Sequence, residues 1–220
     1  MRSKREPFKI ECRAINFEHS CCYRDEVEPP HPEMFLQSIE NIIAISEGFR
    51  FVSTIKSRTN SYQMDSNFDD AWRALLKSTR KWKEIPFDAK ALEDIPGIKP
   101  DALLSNELVA VAVEIEKSNE KTIWFDLIKF MMLINKGVVQ FGLMVAPRNY
   151  SHRTGVWHPF DKARFYKYCL RRFANVDTAL IKSIAILGYT QEAKVSGRWS
   201  QLSKDLVIDI KRQAERHFSV

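Results

Sequence analysis

One nine-residue run, residues 108–116, constrains the fold more than any other part of the chain. It reads LVAVAVEIE, a β-branched strand pattern until two acids, Glu114 and Glu116, appear two residues apart. Because side chains alternate along a strand, both acids project from one face while Val113 and Ile115 project from the other. Two acids in an apolar strand are costly to bury unless they are paired or bind a cation, and a divalent metal is the natural partner. The alternative is a solvated edge strand.

Two further acids lie upstream of this strand. Residues 97–104, GIKPDALL, predict a short strand that contains Asp101, and the next three residues, SNE, predict the turn that leads to Glu114. Asp101 would then lie across from the end of the Glu114 strand. Glu84 follows a predicted helix, within the sequence WKEIPFD at 82–88. Oxygen ligands from one Asp and one Glu suit Mg²⁺, which keeps several waters and shares phosphate oxygens with the protein.

A Pro-Asp pair, a hairpin and a strand that ends in Glu-x-Glu together resemble the motif of the PD-(D/E)xK nucleases. Most of those proteins carry Lys in the last position, where this chain has Glu116, and Lys117 follows on the opposite face. Glu in that position, with an upstream Glu such as Glu84, is similar to the BamHI-type Type II restriction endonucleases. The resemblance covers residues 70–190 and implies an α/β fold of the restriction-endonuclease type, a central mixed β-sheet flanked by helices.

The resemblance implies a Mg²⁺-dependent enzyme that hydrolyses double-stranded DNA at a specific, palindromic sequence and leaves 5′-phosphate ends. In that arrangement Asp101 and Glu114 hold the Mg²⁺, with the backbone carbonyl of Ile115 as an additional ligand. Glu84 helps to hold a second ion or an ordered water. Glu116 takes the place of the usual Lys and orients and deprotonates the attacking water.

The resemblance also implies residues that contact DNA, in two groups that follow predicted strands. The candidates are Lys117, Ser118, Asn119, Arg148, His152 and Arg153. Asn119 falls where the family places an Asn at the start of the next helix, and an Arg at the position of Arg153 can bind guanine through two hydrogen bonds. Lys117 could instead be a displaced catalytic lysine or a phosphate contact.

The chain has a net charge of +6, and many of its basic residues lie in two blocks, which fits a polyanionic substrate. Residues 148–172 contain seven basic residues against one acid, and residues 73–83 contain five basic residues and no acid. Either block alone could equally be a solvated helix face. A homodimer is implied by the resemblance, since cutting both strands of a palindrome needs two sites. A cognate DNA methyltransferase is expected in the same system.

The coarse pattern predicts a single nuclease domain over residues 1–220, with the metal site in 84–116. Helices are predicted at 32–47, 69–83, 126–137 and 200–218, and strands at 138–146 and 181–187. The first 65 residues contain no assignable motif.

The chain is expected to be cytoplasmic, because no segment is apolar enough to cross a membrane and no hydrophobic signal core follows the first residues. The four cysteines form neither a disulfide framework nor a CxxC pair, so reduced thiols are expected. A zinc cluster near the N-terminus is a weaker alternative, because adjacent cysteines lack the usual spacer.

Two other classes of protein stay open. One is a structure-specific PD-(D/E)xK nuclease of DNA repair or recombination, which would cleave a branched substrate in preference to intact plasmid. The other is a DNA-binding protein with a degenerate site, which would bind DNA without nicking it under Mg²⁺ or Mn²⁺.

Overall fold

A computed structural model of the protein describes residues 6–20, 32–56, 65–87, 98–117, 120–152, 155–173 and 177–219. The strands of these segments are β1 (Phe8–Ser20), β2 (Phe49–Ile55), β3 (Asp65–Ser66), β4 (Lys83–Glu84), β5 (Ala102–Ser105), β6 (Ala110–Ile115), β7 (Phe141–Pro147), β8 (Tyr150–His152), β9 (Gly155–Trp157), β10 (Ile184–Val195) and β11 (Arg198–Gln201). The helices are α1 (Pro32–Ser46), α2 (Phe68–Ser78), α3 (Glu120–Asn135), α4 (Pro159–Phe173), α5 (Thr178–Lys182) and α6 (Lys204–Ser219).

Nine strands of the described segments form a mixed sheet at the centre of the structure. Its order is β3-β2-β1-β10-β7-β6-β5-β4, with β11 paired to β10. β6, β7 and β10 run parallel to one another, whereas the other pairings in the described part of this sheet are antiparallel. β8 and β9 form a separate two-stranded sheet. The expected α/β fold, a central mixed sheet flanked by helices, is confirmed.

Helices cover both faces of the large sheet. On one face, called the α1 face, α1, α2 and α6 pack through residues such as Ile39, Trp72 and Ile210. On the other, called the α3 face, α3, α4 and α5 pack through residues such as Phe130 and Phe160. Every residue of β7 is buried, as expected for a parallel strand covered on both sides, which explains its uninterrupted apolar sequence.

Two glycines let α3 and α4 approach the sheet closely. A Cβ built on Gly142 of β7 would lie 2.5 Å from the ring of Phe130, and one built on Gly188 of β10 would lie 2.5 Å from the ring of Phe160. Real Cβ atoms do not come this near to a ring carbon, so both positions need glycine for this packing.

Several predicted boundaries were wrong. The helix predicted at 69–83 ends at Ser78, because Arg80 has a positive φ of 58° and residues 83–84 form a strand. The strand predicted at 181–187 begins at Ile184, since a short helix precedes it. The helix predicted at 200–218 begins at Lys204, after β11. The helix predicted at 32–47 is confirmed as α1.

Within the first third of the chain, whose sequence carried no motif, β1 and β2 belong to the sheet. β1 pairs with both β2 and β10 and so lies inside the sheet. No helix in the described segments is both long and apolar enough to span a membrane. The single domain over residues 1–220 stays a prediction.

Candidate active site

Asp101 and Glu114 lie opposite each other at the carboxyl end of β6. The antiparallel register pairs Ala102 with Val113, which places Asp101 next to Glu114 on the neighbouring strand. Asp101 Oδ2 accepts a hydrogen bond of 2.8 Å from the backbone N–H of Ile115. This bond ties the Asp101 carboxylate to the strand that carries Glu114, so the structure brings the two predicted metal ligands together.

Glu114 is buried on the α3 face, with only 5% of its surface exposed. Lys129 reaches it from α3: Lys129 Nζ lies 2.5 Å from Glu114 Oε1 and 3.0 Å from Asp126 Oδ1. Burial raises the pKa of Glu114 to about 8; the hydrogen bond from Lys129 opposes this rise, and the charges of Asp126 and Asp101 add to it. Glu114 is therefore a carboxyl group that ionises near neutral pH.

Glu116 follows β6 and completes the group of acids. Its Oε1 accepts a hydrogen bond of 2.7 Å from Thr122 Oγ1 at the start of α3. Burial raises the pKa of Asp126, which is also 5% exposed, and hydrogen bonds to Lys129 and Glu116 act in the opposite direction. We call Asp101, Glu114, Glu116 and Asp126 the acid cluster.

Glu84 lies on the other side of the sheet. Glu84 is the cross-strand partner of Leu104, whose side chain belongs to the core of the α1 face. Because directly paired residues share a face, Glu84 points to α2. Its carboxylate accepts hydrogen bonds from Lys77 Nζ at 2.8 Å and Arg73 Nη1 at 3.2 Å, and the Lys77 bond above all lowers the pKa of Glu84. Arg73 Nη1 also donates to the backbone carbonyl of Asp101 at 3.3 Å, so Arg73 joins Glu84 to the acid cluster, and the role of Glu84 as a metal ligand stays a prediction.

The side chain of Lys117 points to the face of the sheet opposite Glu114. Its Nζ is 2.6 Å from Asp69 Oδ2, in the first turn of α2 on the α1 face. The strand alternation inferred from the sequence therefore holds past the end of β6. The lysine that contacts the acid cluster is Lys129.

The other DNA-contact candidates are placed only in part. Arg148 directly follows β7, and it forms an ion pair with Glu18. His152 ends β8, and its side chain lies outside the described residues. Ser118, Asn119 and Arg153 also lie outside the described residues.

The chemistry of the acid cluster fits Mg²⁺. Carboxylate oxygens are the ligands that Mg²⁺ prefers, and Lys129 contacts two of the four acids, Glu114 and Asp126. Among the side chains that the structure describes, no three His, Cys, Asp or Glu residues are gathered as a metal-binding group. Glu114 and Asp126 instead share the ammonium group of Lys129, which partly offsets their charge.

Asp126 and Lys129 were missed from the sequence. Both lie in a helix predicted as plainly apolar, on the side that carries the buried residues Ile123, Leu127 and Phe130. The signal was present: an acid and a lysine three residues apart, within the stripe that a helix buries. A charged pair in such a stripe needs partners, and the strand of Glu114 supplies one.

One family comparison covers the segment of the chain that contains the acid cluster. Residues 101–189 match the model of a protein family described as "Putative halobacteria restriction endonuclease". The matched segment is less than half of the chain; it begins at Asp101, contains the whole acid cluster and Lys129, and excludes Glu84. No curated protein and no solved structure matches the chain. Over residues 101–189 the chain is thus similar to a family described as restriction endonucleases.

Proposed function

We propose that this chain is a Type II restriction endonuclease of the BamHI type within the PD-(D/E)xK superfamily. It hydrolyses phosphodiester bonds of double-stranded DNA at a specific sequence, depends on Mg²⁺ and leaves 5′-phosphate ends. The observation that carries the proposal is the pairing of Asp101 with Glu114 at the carboxyl end of β6, inside the segment that matches a restriction endonuclease family.

Asp101 and Glu114 would hold the Mg²⁺, with the carbonyl of Ile115 as a further ligand. When bound, the ion makes a coordinated water more acidic and offsets charge on the phosphate. Glu116 orients the attacking water and accepts its proton. The hydrogen bond from Thr122 supports this role, because it restricts the rotation of the Glu116 carboxylate.

Lys129 supplies the positive charge that the lysine of the motif supplies in most relatives. Its ammonium group contacts Glu114 on the face that carries Glu116, whereas Lys117 is paired with Asp69 on the other face. In the proposed site the lysine thus comes from α3, while the motif position at the end of β6 holds Glu116.

The remaining features of the proposal follow from the activity. The protein acts as a homodimer, since one acid cluster per subunit has to be doubled to cut both strands. Its substrate is DNA in the cytoplasm, and a cognate methyltransferase protects the sites of the host. Lys117, Ser118, Asn119, Arg148, His152 and Arg153 are the proposed DNA contacts.

The test is digestion of a plasmid of known sequence with Mg²⁺, followed by sequencing of the ends. Discrete fragments with one common end sequence would establish both activity and specificity. Asp101→Asn and Glu114→Gln should abolish cleavage, whereas Glu215→Gln, an exposed acid on α6, should leave it unchanged. Preference for a branched substrate would indicate a structure-specific nuclease, and binding without nicking would indicate a degenerate site.

A second variant separates the position of Glu116 from its chemistry. If a carboxylate has to accept the proton, Glu116→Lys should stop cleavage while DNA binding persists. Retained cleavage would show that the position matters and that the carboxylate does not.

A further inference from the structure

A polar cleft of about 450 Å³ opens at the carboxyl end of β7. Arg148 lies in its wall, three residues past Val145, which pairs with Ile115 of β6. At the rise of a β-strand this places Arg148 about 10 Å beyond the level of Ile115 along the strand direction, on the strand next to the one that carries Glu114. A DNA strand that presents one phosphate to the acid cluster would therefore pass close to the cleft.

Three basic side chains meet in this cleft, and two of them share one aromatic ring. The cations are Arg148, Arg164 and Lys204, and the acids are Glu18 and Asp161. The guanidinium carbons of Arg148 and Arg164 lie 5.0 Å and 5.4 Å from the centre of the Phe160 ring. The ring fixes both cations by cation–π contact, and an anion that reaches both would offset their mutual repulsion.

Two long helices begin at the same cleft. α4 begins after His158, whose carbonyl accepts the N–H of Lys162, and α6 begins after Ser203, whose hydroxyl accepts the N–H of Leu206. His158 and Ser203 both line the cleft. Because the amino end of a helix carries a partial positive charge, both helices add to the attraction of the arginines for an anion.

A carboxylate already occupies one donor of Arg148. Glu18 forms an ion pair with the Arg148 guanidinium, although 60% of the Glu18 side chain is exposed. A β-bulge directs it there: the register of β1 shifts between Ile15 and Glu18, and Asn16 has a positive φ of 52°. The carboxylate of Glu47 fixes the bulge by accepting the N–H of Asn16 at 2.8 Å.

The ion pair with Glu18 does not satisfy every hydrogen-bond donor of Arg148. The buried Nε of Arg148 has no hydrogen-bond partner among the described residues. An exposed ion pair contributes little stability, so a phosphate that also contacts the other two cations can replace the carboxylate of Glu18.

We propose that this cleft is a subsite for a backbone phosphate of DNA. Arg148, Arg164 and Lys204 bind the phosphodiester, and Glu18 occupies the position until DNA displaces it. The inference rests on the proposed function, since it takes DNA as the ligand. Contacts to phosphate carry no sequence information, so any duplex fills the subsite.

The test is binding of a fluorescein-labelled duplex of random sequence, measured by anisotropy in EDTA over a range of salt concentrations. Arg164→Met should weaken binding and make the plot of log K against log salt shallower by about 0.9, the value for one phosphate contact. Glu18→Gln should tighten binding, because the phosphate no longer has to displace a carboxylate from Arg148, and should leave the slope unchanged, because the same phosphates are neutralised. Arg212→Met, an exposed arginine two turns along α6, should match the wild type.

Opposite shifts in affinity in the two cleft variants would establish the subsite. The gain is measured on Glu18→Gln itself, so it does not depend on how well Arg164→Met folds. Wild-type affinity and slope in both cleft variants would overturn the proposal. An equal loss in Arg212→Met would also overturn it, because net charge would then explain the effect.

Plasmid cleavage with Mg²⁺, measured on the same preparations, keeps the two proposals apart. If the wild type does not cleave but the cleft variants shift binding as expected, the proposed nuclease fails and the subsite stands. If the wild type cleaves and the cleft variants bind DNA like it, the subsite fails and the nuclease stands.

Discussion

Binding of Mg²⁺ to this protein should release a proton at neutral pH. Burial, above all, raises the pKa of Glu114 to about 8, and the charges of Asp126 and Asp101 add to the rise against the opposing effect of Lys129. A carboxyl group with that pKa is mostly protonated at pH 7. A metal ion needs the ionised form, so the proton has to leave when the ion binds.

The structure gives the size and the sign of this effect. With a pKa near 8, Glu114 is protonated in about 90% of molecules at pH 7 and in about 10% at pH 9. Binding should therefore release about 0.9 protons at pH 7 and about 0.1 at pH 9. The apparent affinity for Mg²⁺ should rise about tenfold from pH 7 to pH 9 and level off above pH 9.

Isothermal titration calorimetry measures this directly. Titrations at one pH in two buffers of different ionisation enthalpy give the number of protons released, and a series from pH 6 to pH 9 gives the affinity. The Glu215→Gln protein should behave like the wild type, and the Glu114→Gln protein should lose the proton release. Binding of Mg²⁺ with equal affinity at pH 7 and pH 9, and with no proton released, would refute the assignment of Glu114 as a ligand.

Three stability measurements probe the same region through urea unfolding. Because the folded-state pKa of Glu114 lies above its ordinary value of 4.5, the wild type should lose stability as pH rises from 4.5 to 8. Glu114→Gln should remove this loss, so its free energy of unfolding should exceed that of the wild type by up to about 5 kcal/mol at pH 9 and by almost nothing at pH 4. A difference that is the same at both pH values would contradict this. Lys129→Met leaves the buried acids without a cation and should lower the free energy of unfolding by about 3 kcal/mol at pH 9. The loss should be smaller at pH 6, where the acids take up protons, and equal losses at the two pH values would argue against the ion pair. Gly142→Ala should cost about 1–3 kcal/mol through the contact with Phe130, and an unchanged midpoint would mean that α3 can shift.

The sequence was enough to predict buried strands at the centre of the fold, but not where the helices and strands begin and end. The apolar runs that predicted strands at 138–146 and 181–187 became β7 and the first four residues of β10, because a strand covered on both faces has no polar positions. β1 was missed although residues 8–14 alternate apolar and polar side chains; the alternation breaks only at the bulge near Asn16. The end of α2 depends on one positive φ at Arg80, a conformation that a sequence pattern does not signal for an arginine.

The contacts within and around the acid cluster also differ in how far the sequence could predict them. Asp101 and Glu114 belong to one hairpin, so local register was enough to predict that they meet. The contact of Lys129 with Glu114 depends on how α3 docks on the sheet, which is set by the close approach of Phe130 to Gly142. That approach joins residues that no local pattern connects, although the charged pair in the buried stripe of α3 was a signal that partners existed.

The parallel pairing of β6 with β7 gives the proposed DNA surface its layout. Parallel strands end at the same edge of a sheet, so Glu116 after β6 and Arg148 after β7 emerge side by side. Were β7 antiparallel, Arg148 would emerge at the opposite edge, about 20 Å away at the rise of a seven-residue strand. Parallel strands require a crossover connection, and here that connection is α3, which carries Lys129. The crossover thus aligns the acids with the phosphate cleft and also supplies the ammonium group that lies between Glu114 and Asp126.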